Sequence, residues 1–283
     1  MKTVTLKDGT VLPKLGLGSW FIGDYRATRD SEISALRCGI ELGMTVIDTA
    51  EMYGGGRSES LIGEAITPFD RDRLYLISKV MPNNAGRNNI FTSCERTLSR
   101  LKTDYLDCYL LHWRGGVPLE ETLECLLKLR DQGRIKSFGV SNFDREDMQQ
   151  LFSLTDGEGC VMDQVLYHLG SRGVEYDLLP WLKQNKTAMM AYCPLAQGGS
   201  LKARLLTSEA VRLVAIQKKA DPFQILLAFA INDADVIAIP KASTPAHVEG
   251  NFKALSIELT KQDLELLAAD FPPPHTKQPL DMQ

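Results

Sequence analysis

Eight short apolar runs, each followed by a stretch with helical spacing, succeed one another along the chain. This alternation leaves few folds open. The runs are Leu15–Gly18, Thr45–Asp48, Leu74–Lys79, Tyr105–His112, Ile135–Ser141, Cys160–Val165, Ala188–Tyr192 and Val236–Pro240. Amphipathic patterns predict helices near Ser31–Leu42, Ser58–Ile66, Ile90–Leu101, Leu119–Asp131, Arg145–Leu154 and Tyr176–Asn185. Further patterns follow at Glu209–Ala220, Pro222–Asn232 and Pro245–Leu255, and a last helix is expected at Thr260–Asp270. Gly43 and Gly133 stand where left-handed caps end helices. Pro222 stands near the start of its helix, where a missing amide proton costs nothing.

Strands that alternate with helices predict a parallel sheet with crossover helices. Eight repeats predict a closed (β/α)8 TIM barrel, with residues 1–283 as one domain. The start of the chain reads as a β-hairpin, Thr3–Leu6 and Thr10–Leu12 around the turn pair Asp8-Gly9, placed to plug the barrel bottom. A doubly wound sheet is the alternative, and it calls for a Gly-x-Gly-x-x-Gly first turn. Gly16-Leu17-Gly18-Ser19-Trp20-Phe21 supplies two glycines and no third. Gly54-Gly55-Gly56-Arg57-Ser58 lacks the ending of a phosphate-binding loop.

The length of 283 residues suits one such barrel, for which about 250 is typical. A length-based prior of about two domains competes, but no linker or low-complexity segment interrupts the series. A net charge of −4 disfavours a nucleic-acid surface. The start is polar and no apolar run approaches the ~20 residues of a membrane span, so no membrane partner is expected. Six scattered cysteines, none in a Cys-x-x-Cys pair, suggest core thiols in a reducing cytoplasm rather than disulfides or a metal site.

Four groups able to exchange or stabilise protons stand at strand ends. Asp48 ends the second run, with Tyr53 five residues on, Lys79 ends the third and His112 the fourth. In a parallel barrel these ends share one mouth. Tyrosine is a weak acid, with an unperturbed pKa near ~10. A nearby cation lowers it by stabilising the phenolate. One charge at about 4 Å contributes on the order of 4 kcal/mol at an effective dielectric of ~20. Lys79 is the available cation, Asp48 its counter-ion, and neutral His112 a donor to a substrate oxygen. Each residue alone has a plainer reading as a rim or solvated side chain, but four together point to a proton-donating site.

Asp48-Thr49-Ala50-x-x-Tyr53-Gly54, Ser78-Lys79, Leu110-Leu111-His112-Trp113, Gly139-Val140-Ser141-Asn142-Phe143 and Ile239-Pro240-Lys241 resemble the signature segments of the aldo-keto reductase superfamily, in its order and across essentially the whole chain. The resemblance implies that Tyr53 is the general acid, that Lys79 tunes it, that Asp48 pairs with Lys79 and that His112 orients the carbonyl. It implies NADPH as cofactor, with NADH as an alternative, and reduction of aldehydes or ketones. Ser141, Asn142 and Gln164 match the nicotinamide carboxamide contacts, although Ser141-Asn142 also reads as a helix N-cap. Tyr192 matches the aromatic that stacks on the nicotinamide, and Lys241 the lysine at the adenosine 2′-phosphate. Gly18, Ser19, Trp20, Pro194, Leu195, Ser243, Thr244, His247 and Asn251 complete the cofactor set; Trp20 and Trp113 form the substrate mouth, with Tyr25 a further candidate there.

Three positions depart from the family pattern. Ala242 and His247 stand where the family often has Ser and Arg, and a neutral imidazole grips phosphate less well than a guanidinium fork. Gly250 replaces an acid often found beside Asn251. The loop after His112 is short, which implies an open pocket. The tail Phe271–Gln283 either folds over the mouth or frays. Tyr167–Gly173 and Pro279–Met282 are similar to segments of bacterial enzymes that reduce methylglyoxal and other small aldehydes. Arg114 and Arg172 read either as exposed charges or as anchors for carboxylated or dicarbonyl substrates. A Schiff-base enzyme using Lys79 and a non-catalytic NADPH sensor are the competing functions. A monomer is expected, since many relatives are monomeric.

Overall fold

The computed structural model describes residues 2–283. Its first element is an antiparallel hairpin, β1 (Thr3–Thr5) and β2 (Val11–Pro13). Gly9 takes the positive φ that the tight turn requires. Eight parallel strands then follow: β3 (Leu17–Gly18), β4 (Val46–Asp48), β5 (Tyr75–Val80), β6 (Leu106–Leu111), β7 (Ile135–Ser141), β8 (Met162–Leu166), β9 (Ala188–Tyr192) and β10 (Val236–Ala238). They pair in sequence order. Bridges from Leu15 to Ala238 and from Gly18 to Lys241 join the last strand to the first, so the sheet closes. The approach is tight, since a Cβ on Gly18 would lie 2.4 Å from the Ile239 carbonyl oxygen.

Helices α1 (Arg29–Glu41), α2 (Arg57–Ala65), α3 (Ile90–Leu101), α4 (Leu119–Asp131), α5 (Arg145–Ser153), α6 (Leu178–Gln184), α7 (Gly199–Thr207), α8 (Glu209–Lys218), α9 (Pro222–Ala230), α10 (Pro245–Phe252) and α11 (Lys261–Asp270) cover the outside. The strands are buried on both faces, as β5 and β6 are at every position, and this explains their unbroken apolar runs. Outward residues such as Leu76, Tyr109 and Val140 join the core shared with the helices. Inward residues form a second core: Val46, Ile77, Cys108, Leu110, Met162, Met190 and Ile237. Val4, Leu6 and Leu12 of the hairpin belong to that inner core and seal the bottom, as the hairpin reading anticipated.

Three expectations need adjustment. The last strand ends at Ala238 rather than Pro240. Helix α10 stops at Phe252 and tightens into a 3-10 turn over Lys253–Ser256. Helix α7 was not anticipated at all, because Gly198-Gly199 reads as loop; burial of Leu205 holds the helix in place. The tail does not fray away. Asp281 accepts a hydrogen bond from Ser171, Lys277 pairs with Glu146, and Arg172 donates to the Phe271 carbonyl.

Leu12 is buried in the plug, opposite Val4 of β1. Leu12→Ala should cost about 2–5 kcal/mol, read as a lower urea midpoint. Leu213→Ala, on the exposed face of α8, should stay within about 0.5 kcal/mol.

Candidate active site

Side chains along a strand alternate faces, so the inner row of each strand can be followed upward from the core to the mouth. Val46 leads to Asp48, Ile77 to Lys79, Leu110 to His112, Met162 to Gln164 and Met190 to Tyr192. Above the apolar layers the inner row therefore turns polar, and the polar residues converge. Lys79 Nζ donates to Asp48 Oδ2 at 2.8 Å, to the Thr49 carbonyl at 2.8 Å and to Tyr53 Oη at 3.1 Å. Its three donors are thus all used. Gln164 Nε2 donates to the other carboxylate oxygen, Asp48 Oδ1, at 2.7 Å. The His112 ring meets Tyr53 edge-on with centroids 5.8 Å apart.

Lys79 is wholly buried and Asp48 nearly so. Burial raises the Asp48 carboxyl and lowers the Lys79 ammonium, and each partner offsets part of the other's loss. The expected lowering of the Tyr53 phenol does not occur. Burial pushes it well above its ordinary value, and the Asp48 carboxylate adds to the rise. Burial is the larger cause, and the Asp48 carboxylate, bonded to the same Nζ, works in the same direction. Tyr53 is therefore a firmly protonated donor at neutral pH. His112 is held neutral, its pKa pushed down to about 2 by burial and by Lys79. Its Nδ1 is buried without a partner.

Two adjoining cavities meet here. One, of about 200 Å³, is lined by Tyr53, His112, Trp20, Trp113, Ser141, Asn142, Gln164 and Tyr192, with Met52, Met282 and Gln283. The other, of about 280 Å³, runs from Tyr53 and Tyr192 past Gly18, Ser19, Pro194 and Leu195 to Lys241. Trp20, Tyr53 and Tyr192 line both. Two roomier depressions, of about 480 and 660 Å³, include none of the catalytic candidates. Tyr25 lines the latter, beside Arg26 and Arg29, and not the mouth.

Most proposed cofactor residues come together. Asn142 sits at φ 58°, a left-handed conformation that Asn tolerates. Its amide donates to the His112 carbonyl at 3.1 Å and to Ser141 Oγ at 3.2 Å, and accepts from Tyr192 Oη at 2.8 Å. Ser141-Asn142 is not a helix cap; Asp144 caps α5 through a reciprocal pair with Asp147. The Ser19 hydroxyl is wholly buried against Ser58, so that residue meets the groove mainly through its backbone. Lys241 Nζ donates to Ser243 Oγ, and Thr244 caps α10 by accepting from the His247 amide. Ser243, Thr244, His247 and Asn251 lie beyond the walls of either cavity.

The sequence missed Lys202, Cys193, Gln197 and Phe21, which all line the longer groove. Lys202 lies on the unanticipated α7, so no local signal marked it. Phe21 stacks on Trp20 at 4.8 Å from a positive φ that its residue type does not announce. The groove suits a dinucleotide phosphate: Tyr192 supplies an aromatic ring, Lys202 and Lys241 supply cations, and the amides of Asn142 and Gln164 line the adjoining cavity.

A buried Lys–Asp pair beneath a tyrosine at the mouth of a (β/α)8 barrel defines a proton-handling barrel enzyme. Residues 14–269 match the model of the Aldo/keto reductase family, and the chain belongs to that family. It is 48% identical over 281 residues to methylglyoxal reductase YeaE of Escherichia coli strain K12, covering 99% of each chain. It is 29% identical to methylglyoxal reductase DkgB of Escherichia coli O157:H7, over 91% of this chain and 92% of that one. Among solved structures, an aldo/keto reductase from Klebsiella pneumoniae in complex with NADP and acetate superposes with a TM-score of 0.97 at 49% identity, covering 100% and 99%. A thermostable aldo-keto reductase in complex with the inhibitor epalrestat gives a TM-score of 0.88 at 39% identity, covering 95% and 100%.

The paired charges make two expectations. Lys79→Met strands a buried carboxylate and should destabilise by about 3–5 kcal/mol; adding Asp48→Asn should restore part of that loss in urea unfolding. His168 is also buried, its pKa lowered to about 4, with Nδ1 accepting from the Gly170 amide. Below pH 6.5 the unfolded chain takes up this proton and the folded chain does not until about pH 4, so stability falls as pH falls across that window. His168→Asn should flatten the slope there by about 1 kcal/mol per pH unit.

Proposed function

We propose that the chain reduces aldehydes and ketones, methylglyoxal and related small dicarbonyls among them, with NADPH as cofactor and Tyr53 as general acid. The observation that carries this reading is the convergence of Lys79 Nζ on Asp48, Thr49 and Tyr53 beside His112. Bound in the groove, NADPH supplies the hydride. Lys241 and Lys202 would hold its phosphates, Tyr192 would stack on the nicotinamide, and Ser141, Asn142 and Gln164 would fix its carboxamide. Ala242 and His247 leave Lys241 with less help against NADH. Similarity to methylglyoxal reductases supports the substrate class, and an NADPH complex of a relative at 49% identity supports the cofactor.

His112 is neutral, and the tautomer with its proton on Nε2 leaves only a lone pair on the buried Nδ1. It then donates to the carbonyl oxygen and holds it near Tyr53. As negative charge grows on that oxygen, it becomes a stronger base than phenolate, and Tyr53 releases its proton despite a raised pKa. Lys79, already donating to Tyr53 Oη, steadies the phenolate left behind. No depressed tyrosine pKa is needed, because the proton moves only when the acceptor has become basic. Holding the reacting groups in one geometry supplies much of the rate.

The Schiff-base alternative fits poorly, since Lys79 Nζ is buried and all three of its donors are engaged. NADPH oxidation with methylglyoxal tests the proposal, and Tyr53→Phe should lower kcat/KM by about 10²–10⁴ while NADPH still binds by fluorescence titration. Turnover retained in the variant would remove Tyr53 from the acid role.

A further inference from the structure

The larger of the two depressions that hold none of the catalytic candidates, about 660 Å³, lies between the loop after β3, the Gly54–Gly56 turn, the start of α2 and the end of α3. It shares no lining residue with the catalytic cavity or the longer groove. Five cations line it: Arg26, Arg29, Arg57, Arg100 and Lys102. Among the described residues, two carboxylates face them, Asp24 and Glu64, which leaves a surplus of three positive charges. The whole chain carries −4, so this surplus is local and runs against the protein's overall balance.

Ion pairing does not use the surplus up. Arg57 lies 2.8 Å from Asp24, Arg29 pairs with Glu64, and buried Glu59 holds Arg100 from beneath. Arg26 and Lys102 pair with no carboxylate among the described residues. The floor is bare backbone: Gly54, Gly55 and Gly56 all take positive φ, which glycine alone adopts without strain. A Cβ on Gly56 would lie 2.7 Å from Arg100 Cδ and Nε, so that side chain rests directly on the turn. No side chain caps α2 where it leaves this floor, and its first-turn amides add partial positive charge. The apolar lining is slight, limited to Leu61 and the exposed ring of Tyr25.

Cations gathered in this way repel one another until an anion lies among them. Phosphate oxygens accept paired hydrogen bonds from guanidinium groups, and such charge-assisted bonds are the strong ones. Two phosphates on one small molecule match the two uncommitted cations, where a single phosphate matches one. A nucleic-acid strand suits the site less well, because it is concave and the chain's net negative charge repels a long polyanion.

We propose that this depression binds a small metabolite carrying two phosphate groups, through Arg26 and Lys102 with Arg29, Arg57 and Arg100 around it, apart from the cofactor. Calorimetric titration with inorganic pyrophosphate tests this, in saturating NADPH so that binding at Lys202 and Lys241 in the separate groove is masked. One site per chain should appear, tighter for pyrophosphate than for inorganic phosphate by about tenfold or more, and weaker as salt is added. Arg26→Gln with Lys102→Gln should weaken it by about tenfold or more with an unchanged melting temperature, since both side chains are exposed. The matched pair Arg212→Gln with Lys219→Gln removes the same charge from exposed positions of α8 and its cap, and should leave binding intact. No binding in saturating NADPH, equal affinity for phosphate and pyrophosphate, or equal weakening by the two double variants would each overturn the proposal. Binding of a single-stranded oligonucleotide without binding of pyrophosphate would overturn it in favour of a nucleic-acid surface.

Discussion

The buried Lys79–Asp48 pair is the interaction on which the mouth of this barrel depends. It joins β4 to β5 directly, reaches β8 through Gln164 and ties the loop after β4 through Thr49 and Tyr53. Such a pair carries a desolvation cost that its attraction only partly offsets. What it secures is position. Nζ sits where its field reaches Tyr53, and Tyr53 is held where its proton faces the cavity. The tyrosine is not a stronger acid than usual because it is buried, and the carboxylate that keeps the lysine charged adds to the rise.

Around this pair the barrel is two cores with one shared wall. The outer core packs strands against helices and the inner core fills the barrel. The period of two along each strand decides which residue faces which core. It also decides where the chemistry goes: the inner row is apolar until the last position, where it emerges at the mouth. The hairpin closes the opposite end with Val4, Leu6 and Leu12, so the polar residues have only one way to face.

Beyond that ring, the site is completed by parts remote in sequence. Asn142 is fixed by the His112 carbonyl and the Tyr192 hydroxyl, which come from two other strand ends. The tail brings Met282 to the cavity through Ser171 and Asp281. None of these pairings has a local signature, because each is a contact between segments that only the closed sheet brings near one another.

Apolar runs and helical spacing in the chain determined the eight strand–helix units, the hairpin plug and the candidate tetrad Asp48, Tyr53, Lys79 and His112. These are local matters: periodicity selects the element, and a polar residue at the end of an apolar run marks a strand end. Helix α7 escaped because burial of Leu205 outweighs the glycines that precede it. With α7 went Lys202. Tertiary structure alone decided the ionisation of Tyr53, since its pKa is raised by the depth of burial and then by the nearness of Asp48, and neither is written in any stretch of neighbouring residues. It also decided that Arg114 and Arg172 stay away from the catalytic cavity, because their partners Asp147, Glu175 and Phe271 lie elsewhere in the fold.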